Sequence, residues 1–256
     1  REISLAELAK VRVPLPPLPE QRAIAAILST WDEAITLTER LIAVLQTRKR
    51  GLMQRLLTGE VRFPEFEGEW VEVRLGDVFS ERKERGFADL SLLSVTEAGI
   101  VNRDELDRRD TSNEDKSNYL RICPGDIGYN TMRMWQGRSA LSQAEGIVSP
   151  AYTILIPASA IDAQFMAYLF KFPPMIHKFW SYSQGLVDDT LSLKFPNFSI
   201  IKIDLPQLEE QQAIADLLAI SDHEMETLST YLQTLKTQKK GLMQRLLTGE
   251  IRVLVD

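Results

Sequence analysis

Two stretches of the chain carry apolar residues at alternating spacings of four and three. The first runs Ile24, Leu28, Trp31, Ile35, Thr38, Ile42, Leu45, Lys49, Leu52, Leu56; the second runs Ile214, Leu218, Ser221, Met225, Leu228, Leu232, Leu235, Lys239, Leu242, Leu246. A mean spacing near 3.5 holds one face of an α-helix against a neighbour, so each stretch predicts a coiled-coil helix. Pro19 fits a first helical turn, and Gly59 and Gly249 fit stops just past Leu57 and Leu247. A helix from Glu20 to Leu57 would be about 57 Å long at the usual rise per residue. An exposed helix of that length needs a partner, and the other stretch is the obvious one.

Between them the pattern changes to short apolar segments separated by turn residues. Trp70–Phe79, Leu90–Val95, Ile127–Met132, Ile147–Ile156 and Phe198–Leu205 are predicted strands, and Pro124-Gly125-Asp126 is a predicted turn. Asp162 can cap a helix through Phe170, with Pro173-Pro174 ending it before a second helix around Ile176 to Tyr182. The expected fold class is α/β (α+β), with mixed, mostly antiparallel strands, plus two long helices pairing as an antiparallel coiled coil.

The two helical stretches are copies of one another. Gly-Leu-Met-Gln-Arg-Leu-Leu-Thr-Gly-Glu occurs at Gly51–Glu60 and unchanged at Gly241–Glu250, an offset of 190, and 24 of the 48 positions from Leu15 to Arg62 are identical without a gap. At the same offset Leu8, Val11, Arg12 and Val13 face Phe198, Ile201, Lys202 and Ile203. The expected organisation is a remnant of an upstream domain at 1–14, read as its last strand, a first spacer helix at 15–62, a globular domain at 63–204 and a second spacer helix at 205–256. Antiparallel pairing would hang the globular domain on one end and a missing upstream domain on the other, so the helices would set the separation of two heads. Lys49 and Lys239 interrupt the seam at matching positions and read as snorkelling or register-setting residues. Arg48-Lys49-Arg50 reads as a solvated helix face, with phosphate contact as the alternative.

Composition narrows the function. With 44% hydrophobic and 26% charged residues the chain is an ordinary globular one. A single cysteine excludes an internal disulfide framework, and two histidines supply little metal or acid–base chemistry. No membrane span or signal peptide is present, which predicts a cytoplasmic protein. As an average, the net charge of −6 argues against nucleic acid, but it is uneven: Phe63–Asp126 holds 9 basic and 16 acidic residues, Ile127–Lys202 holds 6 and 4.

The mildly basic half contains Tyr129-Asn130-Thr131-Met132-Arg133-Met134-Trp135-Gln136-Gly137-Arg138. Arg133 and Arg138 can present a bidentate fork to guanine, and Asn130 and Gln136 can do so to adenine. Tyr129 and Trp135 can pack on sugars or support the loop; the competing reading is a plain hairpin with Trp135 in the core. Ser183 and Gln184 lie in a second polar loop. Arg82, Lys83 and Arg85 can meet phosphate, although Glu81 and Glu84 between them make a solvated face an equal reading. His177 reads as a helix-face residue, Cys123 as core, and Asp188-Asp189 as a cap or turn rather than a metal pair. Phosphate-binding loops, dinucleotide fingerprints, nucleophile elbows and zinc-protease motifs are absent from the sequence, and no catalytic constellation emerges.

Leu-Pro-x-Leu-x-Glu-Gln opening each helix (Leu15–Gln21, Leu205–Gln211), the shared decapeptide, Pro124-Gly125-Asp126, Trp135-Gln136-Gly137 and Gly146-Ile147-Val148-Ser149-Pro150-Ala151-Tyr152 together resemble the specificity subunits of type I restriction-modification enzymes. The resemblance covers essentially the whole chain. It implies a target recognition domain that reads one half of a split sequence in double-stranded DNA, and helices that fix spacing and dock modification (methyltransferase) subunits. It also implies that catalysis lies in partners. S-adenosylmethionine would serve the modification subunits, and ATP and magnesium the restriction (translocase-nuclease) subunit. This chain would bind no cofactor and no metal. It departs from the family in holding one complete recognition domain; it is either the distal part of a full subunit, which Arg1 and the strand-like remnant favour, or a half-length form that pairs with itself. The alternatives from other classes are a coiled-coil scaffold or adaptor that binds no DNA, and a small enzyme with an unrecognised site.

Overall fold

The computed structural model describes residues 4, 9–10, 15–96, 99–105, 115–187 and 190–254. Leu8, Val11, Arg12 and Val13, on which the expected strand remnant rests, lie outside them, as do Asp188 and Asp189. In chain order the elements are α1 (Leu18–Leu56), β1 (Val71–Arg74), α2 (Leu75–Val78), β2 (Phe79–Glu81), β3 (Leu93–Val95), β4 (Ile100–Asn102), β5 (Leu120–Ile122), β6 (Ile127–Asn130), β7 (Ser139–Leu141), β8 (Gly146–Val148), β9 (Tyr152–Pro157), α3 (Ala163–Leu169), α4 (Pro173–Tyr182), α5 (Phe195–Ser199), β10 (Lys202–Leu205) and α6 (Leu208–Leu247).

The chain divides into two compact units, one of residues 1–49 with 220–256 and one of 50–219, and each long helix contributes to both. Every seam position named above is buried or half-buried along α1 and α6. In the helical unit the pairing is antiparallel: Asp32 meets Lys239, Glu39 meets Lys236 at 2.7 Å, Arg48 meets Glu224, and Lys49 meets Asp222 at 2.5 Å, so partners descend along α6 as they ascend along α1. The two seam lysines therefore reach carboxylates on the opposite helix. Burying such a stem while pairing its ammonium selects one register. Both helices stop where expected, with Gly59 at φ +70° and Gly249 at φ +76°, a backbone region that glycine enters without steric cost.

The globular unit is built on a four-stranded antiparallel sheet in the order β2-β9-β6-β7, with antiparallel pairs β1–β10, β3–β4 and β5–β8 beside it. Ile127, Tyr129, Ile154 and Leu155 from the central strands are fully buried. Phe198 sits at the middle of an aromatic cluster with Phe79, Tyr129, Phe170, Phe179 and Phe195 at centroid distances of 5.6–6.2 Å. The core includes Leu56, Leu57, Ile214, Ala215 and Leu218, so the end of α1 and the start of α6 belong to this domain as much as to the coil.

Several expected elements are subdivided. Trp70–Phe79 holds strand β1 and the one-turn helix α2, with β2 beginning at Phe79; Ile147–Ile156 is broken by the Ser149–Ala151 turn; Phe198–Leu205 begins in a helix and becomes strand only at Lys202. Asp162 caps α3, accepting from the Phe165 amide at 2.6 Å. Helix α4 starts at Pro173, three residues before the expected Ile176, because proline is tolerated in a first turn where no amide donor is needed. Among the described residues no helix is long and apolar enough to cross a membrane.

Candidate functional site

Strand β6 ends at Asn130 and β7 begins at Ser139, and the intervening chain is a hairpin loop holding a 3-10 turn over Met134–Gln136. Met134 is the loop's fully buried anchor, not Trp135, which is half-buried and donates its indole N–H to the Met132 carbonyl at 3.1 Å. Gly137, at φ +74°, closes the turn where an added Cβ would come within 2.9 Å of Ile176. Gln136 and Arg138 are exposed, and Asn130 and Arg133 half-buried. The Asn130 carboxamide oxygen accepts from the Met132 amide at 3.0 Å, which fixes how the loop leaves the strand.

Thr131 joins this loop to two others. Its amide donates to Ala151 at 3.1 Å, its carbonyl accepts from Leu193 at 2.9 Å, and its hydroxyl lies 3.1 Å from that of Thr153. The Leu193 link brings in the 183–192 loop, whose ends are held by reciprocal Gln184–Ser192 backbone bonds of 2.9 and 2.8 Å. Gln184 is exposed there; Ser183 is half-buried and spends its hydroxyl hydrogen on Phe179 O at 2.7 Å, closing α4. Met132, Leu186 and Val187 expose apolar surface on the same two loops, and Tyr182 does so at the end of α4. Five of the expected contact residues (Asn130, Arg133, Trp135, Gln136 and Arg138) thus share one loop, and Ser183 and Gln184 sit on a neighbour tied to it.

Tyr129 takes the second of its two expected roles, and Arg82 is held by carboxylates. Tyr129 is wholly buried, stacks on Phe198 and donates to Leu193 O at 3.0 Å, and burial pushes its phenol pKa up, so it supports the loop from beneath. The Arg82 guanidinium lies against Asp126 at 2.7 and 3.0 Å and Glu84 at 2.5 Å, and its hydrogen bonds with Asp126 raise its pKa further. Arg121 joins through Glu84 and Glu145 at 2.7 and 2.6 Å, and together with Arg82 it holds the Glu84 carboxyl below its usual range. This network locks the Pro124-Gly125-Asp126 turn, where Asp126 accepts from the Cys123 amide at 2.7 Å. Arg82 is a structural ion-pair residue there. Lys83 is largely exposed and pairs with Glu81 at 2.9 Å. Cys123 is half-buried, and desolvation pushes its thiol pKa up. His177 lies on an exposed helix face, stacked on Trp180. Among the described residues no group of carboxylates, histidines or cysteines is placed to hold a metal ion.

Sequence reasoning missed a second concavity beside this loop, of about 130 Å³, lined by Ser94, Arg103, Tyr119, Ser149 and Tyr152 over Leu92 and Leu93. Tyr152 pairs with Asn130 across the β6–β9 ladder, so the cavity and the loop occupy the same end of the sheet. Ser149 and Tyr152 lie in the Gly146–Tyr152 motif and Ser94 in the predicted Leu90–Val95 strand; strand β4 and Arg103, which follows it, are in a segment the pattern did not reveal.

Comparison with known proteins matches residues 1–47 and 67–237 to the type I restriction modification DNA specificity domain. The MjaVIII type I restriction enzyme specificity subunit of Methanocaldococcus jannaschii is 30% identical over 95% of this chain, and the putative MjaX specificity subunit of the same organism 28% over 98%. The chain spans 63% and 62% of the length of these two relatives. Among solved structures, the HsdS subunit from Thermoanaerobacter tengcongensis superposes with a TM-score of 0.54 at 21% identity, covering 93% of this chain and 61% of that one. The type I restriction-modification S subunit from M. genitalium gives a TM-score of 0.58 at 16% identity, covering 96% and 65%.

Proposed function

Because this chain belongs to the type I restriction modification DNA specificity family, we propose that it recognises one half of a bipartite double-stranded DNA target and docks modification subunits through α1 and α6. The observation that carries the reading is the gathering of Asn130, Arg133, Gln136 and Arg138 on one short loop anchored by Met134, with Ser183 and Gln184 on the loop bonded to Thr131. Arginine, asparagine and glutamine are the side chains whose paired polar atoms match base edges, and a rigid loop fixes their register. Trp135 and Lys83 would serve sugar and phosphate contacts.

Catalysis belongs in this reading to the partners. The modification subunits would methylate with S-adenosylmethionine, and a restriction subunit would use ATP and magnesium, in the cytoplasm where the DNA is. Leu15 and Leu247, 79% and 57% exposed where their repeat counterparts Leu205 and Leu57 are core residues, are the seat for an upstream recognition domain or, in a half-length form, for a second copy. A pure scaffold would need none of the base-matching side chains on the loop.

The test is to sequence methylated adenines in the source strain, identify the split motif, and titrate the subunit with its modification subunits on duplexes with and without it. Arg133→Ala is expected to weaken the motif duplex by about 1–3 kcal/mol and random duplex hardly at all. Equal loss on both makes Arg133 a phosphate contact, and absence of salt-dependent binding by the wild-type complex leaves the scaffold.

A further inference from the structure

The loop that carries Gln184 holds two branched apolar side chains in water on a backbone that is tied down. Leu186 is 100% exposed and Val187 62%. Reciprocal Gln184–Ser192 bonds close the neck below them. At Gly185 an added Cβ would come within 2.6 Å of the Thr190 backbone, so the two arms of the loop touch. The Thr190 hydroxyl accepts from the Leu186 and Val187 amides at 3.1 and 3.2 Å and donates to the Val187 carbonyl at 2.8 Å. One side chain thus fixes the backbone of both exposed residues.

Leu193, fully buried, anchors the returning chain, and its amide bond to the Thr131 carbonyl at 2.9 Å ties the loop to Asn130–Arg138. A duplex engaged by that reading loop would meet its neighbour as well. Residues 183–192 contain two aspartates and no lysine or arginine, so this loop does not suit phosphate. The reading loop supplies the side chains that match guanine and adenine. What a branched apolar side chain matches is the one apolar group in the major groove, the thymine 5-methyl. Of Met132, Leu186 and Val187, the exposed apolar residues of the two loops, Leu186 presents the largest share of its surface.

We propose that Leu186 reads the 5-methyl group of one thymine in the target, beside the bases engaged by the Asn130–Arg138 loop. The assignment rests on the DNA-recognition reading above and adds to it a residue that reads sequence without a hydrogen bond. The stiffness of the loop is what makes such a contact count, because the gain from one buried methyl is cancelled if a mobile backbone must be ordered to make it.

The test uses the subunit assembled with its modification subunits, titrated on the split-motif duplex with each thymine replaced in turn by deoxyuridine, which removes the methyl and keeps the base pair. At one position the wild-type complex is expected to lose about fourfold in affinity, the share of one buried methyl group. Leu186→Ala should bind the thymine and uracil duplexes alike, about as weakly as wild type binds the uracil one, and Leu186→Met should restore the preference for thymine. Leu186→Ala keeps the wild-type thermal midpoint, since the side chain it truncates is wholly exposed. A wild-type complex indifferent to every uracil, or a thymine preference that survives in Leu186→Ala, overturns the assignment, while preference for the motif over random duplex leaves the parent reading standing. Equal weakening of motif and random duplexes by Leu186→Ala, with no thymine preference in wild type, overturns it in favour of an apolar wedge between base steps. Loss of modification subunits from Leu186→Ala on gel filtration, with thymine preference unchanged, overturns it in favour of a protein contact. A wild-type complex that does not prefer its motif takes down the parent reading with it.

Discussion

The two copies of the repeated segment can be compared position by position, because one ends inside the globular unit and the other inside the helical unit. Their local structure is the same. Gln21 Nε2 donates to Pro16 O at 2.8 Å and Gln211 Nε2 to Pro206 O at 2.9 Å; Arg252 grips Glu20 with two bonds of 2.7 Å, and Arg62 grips Glu210 with bonds of 2.8 and 2.6 Å. Their surroundings differ. Gln211 Oε1 also accepts from the Asp162 amide at 3.0 Å, Leu57 is 4% exposed where Leu247 is 57%, and Gly59 lies against Trp70 where Gly249 faces open space. Caps, helix stops and the returning arginine are thus properties of the segment itself, while burial is conferred by the domain that the second unit adds.

That distinction is broken most directly at the paired leucines. Leu57→Ala is expected to cost about 2–4 kcal/mol in urea unfolding followed by tryptophan fluorescence, since it leaves a cavity in the main core. Leu247→Ala in the same chain should stay within about 0.5 kcal/mol, as an exposed truncation does. Equal losses would mean that Leu247 is covered in solution.

The paired glycines give a smaller contrast. Both need a left-handed backbone, so Gly249→Ala should cost about 1 kcal/mol from conformation alone. Gly59→Ala should cost more, about 1–2 kcal/mol, because its methyl would also stand 3.3 Å from the Trp70 ring. The same urea midpoints measure both.

Glu20 adds a pH dependence. The hydrogen bonds from Arg252 hold the Glu20 pKa below its ordinary value. A carboxyl depressed in the folded state stabilises above its unfolded pKa of about 4.3 and loses that contribution as pH falls through the folded value. Glu20→Gln should therefore lower the thermal midpoint at pH 7, and the difference from wild type should shrink as the medium is acidified below about pH 4. Glu210→Gln is expected to lower the midpoint further, since both glutamates are buried but the Arg62 that grips Glu210 is 25% exposed and the Arg252 that serves Glu20 is 63% exposed.

What could be read from the sequence follows the same line between local and conferred structure. The seam, the proline starts, the glycine stops and the Asp162 cap depend on neighbours within one or two turns, and all of them are found. The short strands β4, β5 and β7 are three residues each, too brief for a period-two pattern to register, and they exist because β3, β8 and β6 lie beside them. At the site, Arg133, Gln136 and Arg138 were legible as residue types on a loop. Arg82 was not legible as a structural residue, because its partner Asp126 lies 44 positions away. Arg103 and Ser149 were invisible as a pair for the same reason.

The smallest expected effect tests the register. Lys49 pairs with Asp222 and Lys239 with Asp32, two versions of one contact related by the 190-residue offset. The lysine side chains are 17% and 22% exposed and the aspartates 43% and 62%, so solvent screens both pairs and each should contribute only about 0.5–1 kcal/mol. Lys49→Glu sets a like charge against Asp222, and restoring the pair as Lys49→Glu with Asp222→Lys should recover most of the loss. In a double-mutant cycle by thermal unfolding, a coupling energy near zero would show that the two lysines merely snorkel. A coupling at Lys49–Asp222 matched within error by one at Lys239–Asp32 would show that the repeat carries its register twice, once for each direction in which the helices are read.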